Sequence, residues 1–89
     1  MKLHKSTEAA AATDVFAALG DPTRRRIVEL LADGQARRLS DLVVEFDSTR
    51  QTVTRHLDVL GSAGITTTVR RGRERYTSLS AQAFDPVRN

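Results

Sequence analysis

The apolar residues of this chain change period at Gly64, and few folds accommodate that change. Upstream, Ile27, Leu30 and Leu31, and later Val53, Leu57 and Leu60, recur at the three- and four-residue spacing of amphipathic helices. Downstream, Ile65-Thr66-Thr67-Thr68-Val69-Arg70-Arg71 is rich in β-branched residues and reads as a strand. Gly72 sits at a turn, and Glu74-Arg75-Tyr76-Thr77-Ser78-Leu79 reads as the returning strand. Short helices followed by one hairpin are therefore expected. With 89 residues there is room for a single domain spanning 1–89, with residues 1–6 a flexible tail.

The helices carry their own punctuation. Thr7 to Leu19 is Ala-rich and reads as a helix ended by Gly20; its small-residue tetrad, Ala9–Ala12, suits close packing within the chain or against a second subunit. Asp21-Pro22-Thr23 opens the second helix, with Asp21 capping free amides and Pro22 at the first helical position, and Gly34 stops it. Arg24, Arg25 and Arg26 point about 100° apart on a helix, so they form no common surface and read as a solvated flank with one arginine near a phosphate. Ser40-Asp41 begins a short third helix carrying Leu42, Val43 and Phe46, with Leu39 packing on Val43 across its start. Residues 47–64 read as a fourth helix, opened by a Ser48/Gln51 capping box or by Asp47. Val53, Leu57, Leu60 and Gly64 share its buried stripe; Gln51, Arg55, Asp58 and Ser62 lie opposite, with Thr54 nearby.

Charge is divided unevenly. Residues 1–47 carry seven Lys or Arg against eight acids, whereas residues 48–89 carry seven Arg against Asp58, Glu74 and Asp85. The positive excess is therefore all arginine and all in the second half, where planar guanidinium forks suit phosphates and guanine edges. The outer N-terminal half of the fourth helix has Thr, Arg, Gln, Thr and Arg with no acid, and the hairpin tip holds Arg70, Arg71, Arg73 and Arg75 around Glu74.

Other functions are disfavoured. Only Phe16, Phe46, Phe84 and Tyr76 are aromatic, too few for a base-stacking platform. The absence of cysteine excludes disulfides, thiolate metal sites and a cysteine nucleophile. Gly20, Gly34, Gly61, Gly64 and Gly72 are scattered and form no phosphate loop. The two histidines, His4 and His56, fall short of a zinc site, which needs three or four ligands; His56 beside the Val53/Leu57 stripe reads as a packed or capping residue. No apolar run reaches the ~18–20 residues of a membrane span. A cytoplasmic non-enzyme without metal or cofactor is expected.

Two short helices, a tight connection and a helix with a polar outward face make a helix-turn-helix. The fold class is thus mainly α (α+β), a winged helix-turn-helix of about four to five helices with a two- or three-stranded wing. The order of motifs resembles the ArsR-type (ArsR/SmtB) winged-helix repressors: Phe16-Ala17-Ala18-Leu19-Gly20-Asp21-Pro22-Thr23-Arg24-Arg25-Arg26-Ile27, Ser40-Asp41-Leu42, Thr49 through Leu60, Ala63-Gly64-Ile65, and Arg71-Gly72-Arg73 before Tyr76. Metal-sensing members carry paired cysteines around the start of the third helix, where this chain has Arg38 and Ser40, so the resemblance implies a branch that does not sense metal.

The resemblance implies a homodimer on double-stranded DNA, formed through the helix at 7–19, acting as a sequence-specific transcriptional repressor. Arg50, Gln51, Thr54 and Arg55 would read bases or adjoining phosphates, Thr49 and Thr52 would position the helix on the backbone, and Arg70, Arg71, Arg73 and Arg75 would hold phosphate or enter the minor groove. The alternative is a winged-helix protein-interaction module without sequence-specific DNA binding, which has no need of a uniformly cationic face.

Overall fold

The computed structural model describes residues 15–81. Of the helix expected at 7–19, residues 15–18 are seen and are helical. Its earlier part with Ala9–Ala12, the tail at 1–6 with His4, and the Phe84-Asp85-Pro86 segment lie outside the described residues. Three helices follow, α1 (Pro22–Leu30), α2 (Leu39–Val43) and α3 (Arg50–Ser62), with strands β1 (Arg37–Arg38), β2 (Thr66–Arg71) and β3 (Glu74–Leu79). The strands form one antiparallel sheet in the order β1-β3-β2. This is the winged helix-turn-helix.

The start of α1 follows from Asp21-Pro22. Asp21 is extended, and its Oδ2 accepts hydrogen bonds from the amides of Thr23 at 2.9 Å and Arg24 at 3.1 Å, while Pro22 has no amide to satisfy. Further along, Ile27 and Leu31 are wholly buried. Leu39, Leu42, Val53, Leu57, Leu60 and Ile65 complete the aliphatic core with Ala18. Each of the Leu, Ile and Val side chains contributes about 1.5–3 kcal/mol by leaving water.

Several local expectations are corrected. The short helix begins at Leu39 rather than Ser40, with Arg38 as an N-cap residue that makes no side-chain cap. Arg38 is already held extended by pairing with Tyr76, so the helix starts as soon as the strand ends. That two-residue strand, β1, is the third strand the fold class allows, at a position the sequence reading does not mark, and Phe46 falls beyond the end of α2. The long helix covers Arg50–Ser62 rather than 47–64, and Thr49, not Ser48 or Asp47, caps it: Thr49 Oγ1 accepts from the Thr52 amide at 3.1 Å.

Gly64 likewise leaves the buried stripe. It is exposed, at φ +78°, in the left-handed turn that closes α3. Its amide bonds to the Gly61 carbonyl and the Ile65 amide to the Leu60 carbonyl, both at 3.0 Å, which is a Schellman ending with Leu60 and Ile65 buried against each other. The chain is thereby aimed directly from α3 into the wing. At the far end of the hairpin Arg71 pairs with Glu74, and Gly72 at φ +62° is the only left-handed residue between them, the pattern of a two-residue type II′ turn.

Candidate nucleic-acid interface

The hairpin's register sorts its arginines by face. Arg70 stands opposite Arg75 and Thr68 opposite Thr77, so these four share one face; Val69 opposite Tyr76 and Arg71 opposite Glu74 share the other. Thr77 is fully buried, and its Oγ1 lies 3.0 Å from Thr68 Oγ1, which identifies the first face as the one turned toward the helices. Arg70 and Arg75 therefore face α3, while Arg71 lies on the reverse side with its guanidinium carbon 5.7 Å from the centre of the Tyr76 ring.

Between α3 and the wing runs an open groove of about 620 Å³. The helix supplies Arg50, Gln51, Thr54, Arg55 and Asp58, the wing supplies Arg70, Arg73 and Arg75, and Leu39 contributes from α2. Seven of the ten residues expected at the interface thus meet in one groove. Thr49, Thr52 and Arg71 do not line it. Thr49 and Thr52 are joined instead by a 2.9 Å hydroxyl bond at the helix start. Asp58 is an acid within the groove that the emphasis on cations did not place there, although its helical spacing from Thr54 and Arg55 marks that face.

The charges in the groove are uncompensated. Arg26, Arg37 and Arg38 pair with Glu29, Asp33 and Asp41, but among the described residues Arg50, Arg55, Arg70, Arg73 and Arg75 form no ion pair. The hydrogen bond from Arg38 to Asp41 raises the guanidinium above its ordinary value, so Arg38 is a satisfied cation outside the groove.

Arg24, Arg25 and Arg26 have separate tasks, as their angular spread requires. Arg26 pairs with Glu29 and Arg25 donates to the Leu19 carbonyl at 2.9 Å. Arg24 is half-buried and donates to the carbonyls of Ala18 at 2.7 Å and Ala17 at 3.3 Å, and it reaches His56 Nδ1 at 3.1 Å. Arginine only donates, so Nδ1 accepts, and His56 is a packed, hydrogen-bonded residue of α3. Asp21 closes the cluster with Oδ2 3.9 Å from the same nitrogen. The Arg24 amide bond, helped by the Arg24 charge and the Thr23 amide, holds the Asp21 carboxyl below its ordinary value against the opposing effect of burial. Among the described residues no group of His, Asp or Glu is placed to hold a metal ion, and no helix is long and apolar enough to cross a membrane.

Comparison with known proteins places this geometry. A helix-turn-helix domain family matches residues 19–69. The transcriptional repressor SdpR of Bacillus subtilis (strain 168) is similar at 34% identity, over 75% of this chain and 73% of SdpR. A crystal structure of an ArsR family transcriptional regulator is similar with a TM-score of 0.79 at 29% identity, covering 88% of this chain and 85% of that one. The homodimeric winged helix-turn-helix DNA-binding domain Mb0332 from Mycobacterium bovis shares the fold, with a TM-score of 0.76 at 24% identity over 88% of this chain and 71% of that one.

Proposed function

This chain belongs to the ArsR-type winged helix-turn-helix transcriptional regulators, which bind DNA, and from that premise we infer that it is a repressor that reads duplex sequence as a homodimer through the groove between α3 and the wing. The observation that carries the reading is five groove arginines without an ion pair among the described residues, converging from two elements. Cations left unpaired in the free protein are available to displace counterions from phosphate.

The roles divide by position. Gln51, Thr54 and Arg55 lie on the exposed N-terminal half of α3, the part of a recognition helix that meets base edges, and Arg50 beside them adjoins phosphate. Thr49 spends its hydroxyl on the cap, accepting from the Thr52 amide and donating to Thr52 Oγ1. Thr52 keeps its own hydroxyl proton for a phosphate oxygen. No acid occupies the first turn of α3, so its free amides favour an anion. Arg70, Arg73 and Arg75 hold the flanking backbone or minor groove, with Arg71 behind them.

Two subunits would present two such helices about 34 Å apart, one turn of the duplex. The helix ending at residue 18 supplies the joint: Phe16 within it is 80% exposed, an aromatic ring that a second subunit would cover. The Mycobacterium bovis relative is described as homodimeric, in keeping with this assembly. The role is one of binding rather than catalysis, in keeping with relatives named as transcriptional regulators.

The test is selection of duplexes from a random pool with the full chain, followed by fluorescence anisotropy on the enriched sequence and a scrambled control at several salt concentrations. A preference on the order of 10³-fold at ~150 mM salt establishes the reading. Equal binding to both duplexes refutes sequence specificity, and light scattering of the free protein decides the dimer.

A further inference from the structure

Among the described residues Asp58 is the one carboxylate lining the arginine groove, where it shares the wall with Arg55, Arg70 and Arg75. It is exposed, and among the described residues it makes no ion pair with any of these cations. It lies four residues after Thr54 and three after Arg55, one turn further along the same face of α3. The groove is therefore lined by cations on both walls, and Asp58 sets one negative charge, in no ion pair, among Arg70 and Arg75 in its inner part.

Such a point treats the two surfaces of DNA oppositely. A phosphate has only acceptor oxygens and is repelled by a carboxylate. A base edge in the major groove offers amino donors, on cytosine N4 and adenine N6, that a carboxylate accepts. Charge-only engagement, in which the backbone settles across the groove, meets the repulsion in full. A register that turns base amino groups toward the inner end does not.

We propose that Asp58 is a specificity-determining residue that penalises phosphate in the inner groove while accepting a base amino group there. The proposal rests on the reading of this groove as the DNA interface. It predicts that discrimination comes partly from weakening the wrong complex, a repulsive device rather than an added attraction.

The experiment compares wild type, Asp58→Asn, Asp58→Glu and Arg55→Ala on the enriched duplex and its scrambled control, with circular dichroism confirming that each variant is folded. Removing one negative charge should tighten the scrambled duplex about fivefold at ~0.15 M salt and steepen its salt slope by about 0.9. The enriched duplex should change by less than about twofold or weaken, so the preference falls, and Asp58→Glu should hold the scrambled duplex near wild-type affinity. Equal tightening on both duplexes, or no change on either, overturns the proposal, because a merely solvated acid acts uniformly. Arg55→Ala keeps the two questions apart. If it weakens the enriched duplex while Asp58→Asn leaves the preference intact, the interface stands and the Asp58 role falls; if no sequence is enriched, or Arg55→Ala changes nothing, the interface itself falls.

Discussion

The guanidinium of Arg24 in α1 lies 3.1 Å from Nδ1 of His56 in α3, joining residues 32 apart in sequence, while the same side chain donates to the carbonyls of Ala17 and Ala18. One arginine thus ties the end of the first helical segment to the middle of α3. Its planar fork serves several acceptors at fixed angles, which a lysine ammonium does not reproduce.

Arg24→Ala should therefore destabilise the fold by about 1.5–3 kcal/mol, the range for hydrogen bonds to a charged group, and Arg24→Lys should recover little of it. Urea denaturation of the three proteins is the check. Wild-type stability in Arg24→Ala would show the cluster to be energetically idle.

Asp21 makes part of that stability depend on pH. Its folded value lies below the ordinary 3.8, so its contribution is present above the unfolded value and is lost as pH falls through the folded one. Asp21→Ala should cost about 0.5–2 kcal/mol at neutral pH through the lost cap. As pH falls below 3.8 and through the lower folded value, the gap between variant and wild type should narrow toward the part of the cap that needs no charge, measured as urea midpoints across the acid range.

The wing arginines should separate by face. Arg70→Ala and Arg75→Ala are expected to weaken all duplexes alike and to lower the salt slope by about 0.9 each. Arg71→Ala, on the Tyr76 side, should have the smallest effect of the three. Arg55→Ala, by contrast, should cost about 1–3 kcal/mol on the preferred duplex and relax specificity at one position. Anisotropy titrations at varied salt distinguish these outcomes, and equal effects from all four would remove the facial assignment.

Gly72→Ala tests the turn. Nothing lies within 4 Å of the added Cβ, so the cost is purely the φ of +62°. About 1 kcal/mol of stability should be lost, with broadened amide signals at the wing tip. An unchanged melting curve and spectrum would count against the type II′ geometry.

The sequence shows some elements more clearly than others. Asp21-Pro22 and the strand at Glu74–Leu79 are legible because a capping Asp-Pro pair, and a glycine turn following a β-branched run, dictate the local answer. The cap of α3 is not, because Asp47, Ser48 and Thr49 are all competent and only the path of the chain selects Thr49. The two-residue β1 carries no pattern, since Arg37 and Arg38 become a strand only through Thr77 and Tyr76 far downstream. The reading-face residues follow from helical spacing, whereas the division of the wing into groove-facing and outward arginines depends on a register no local signal supplies. Arg24 escaped for the same reason, as its partner in α3 is brought to it only by the packed fold.

The pairing of Arg70 with Arg75, one step back from the turn, gives the wing an arithmetic of its own. Side chains alternate across the strand, so inserting or deleting one residue in either arm below the turn would carry Arg70 or Arg75 to the far side and bring an outward neighbour into the groove. Because β3 is also held by β1 along its other edge, its frame is fixed from both sides and cannot slip to compensate. Such a wing can lengthen or shorten while keeping its function only in even steps, and an odd change would invert it, leaving the composition intact and the binding surface lost.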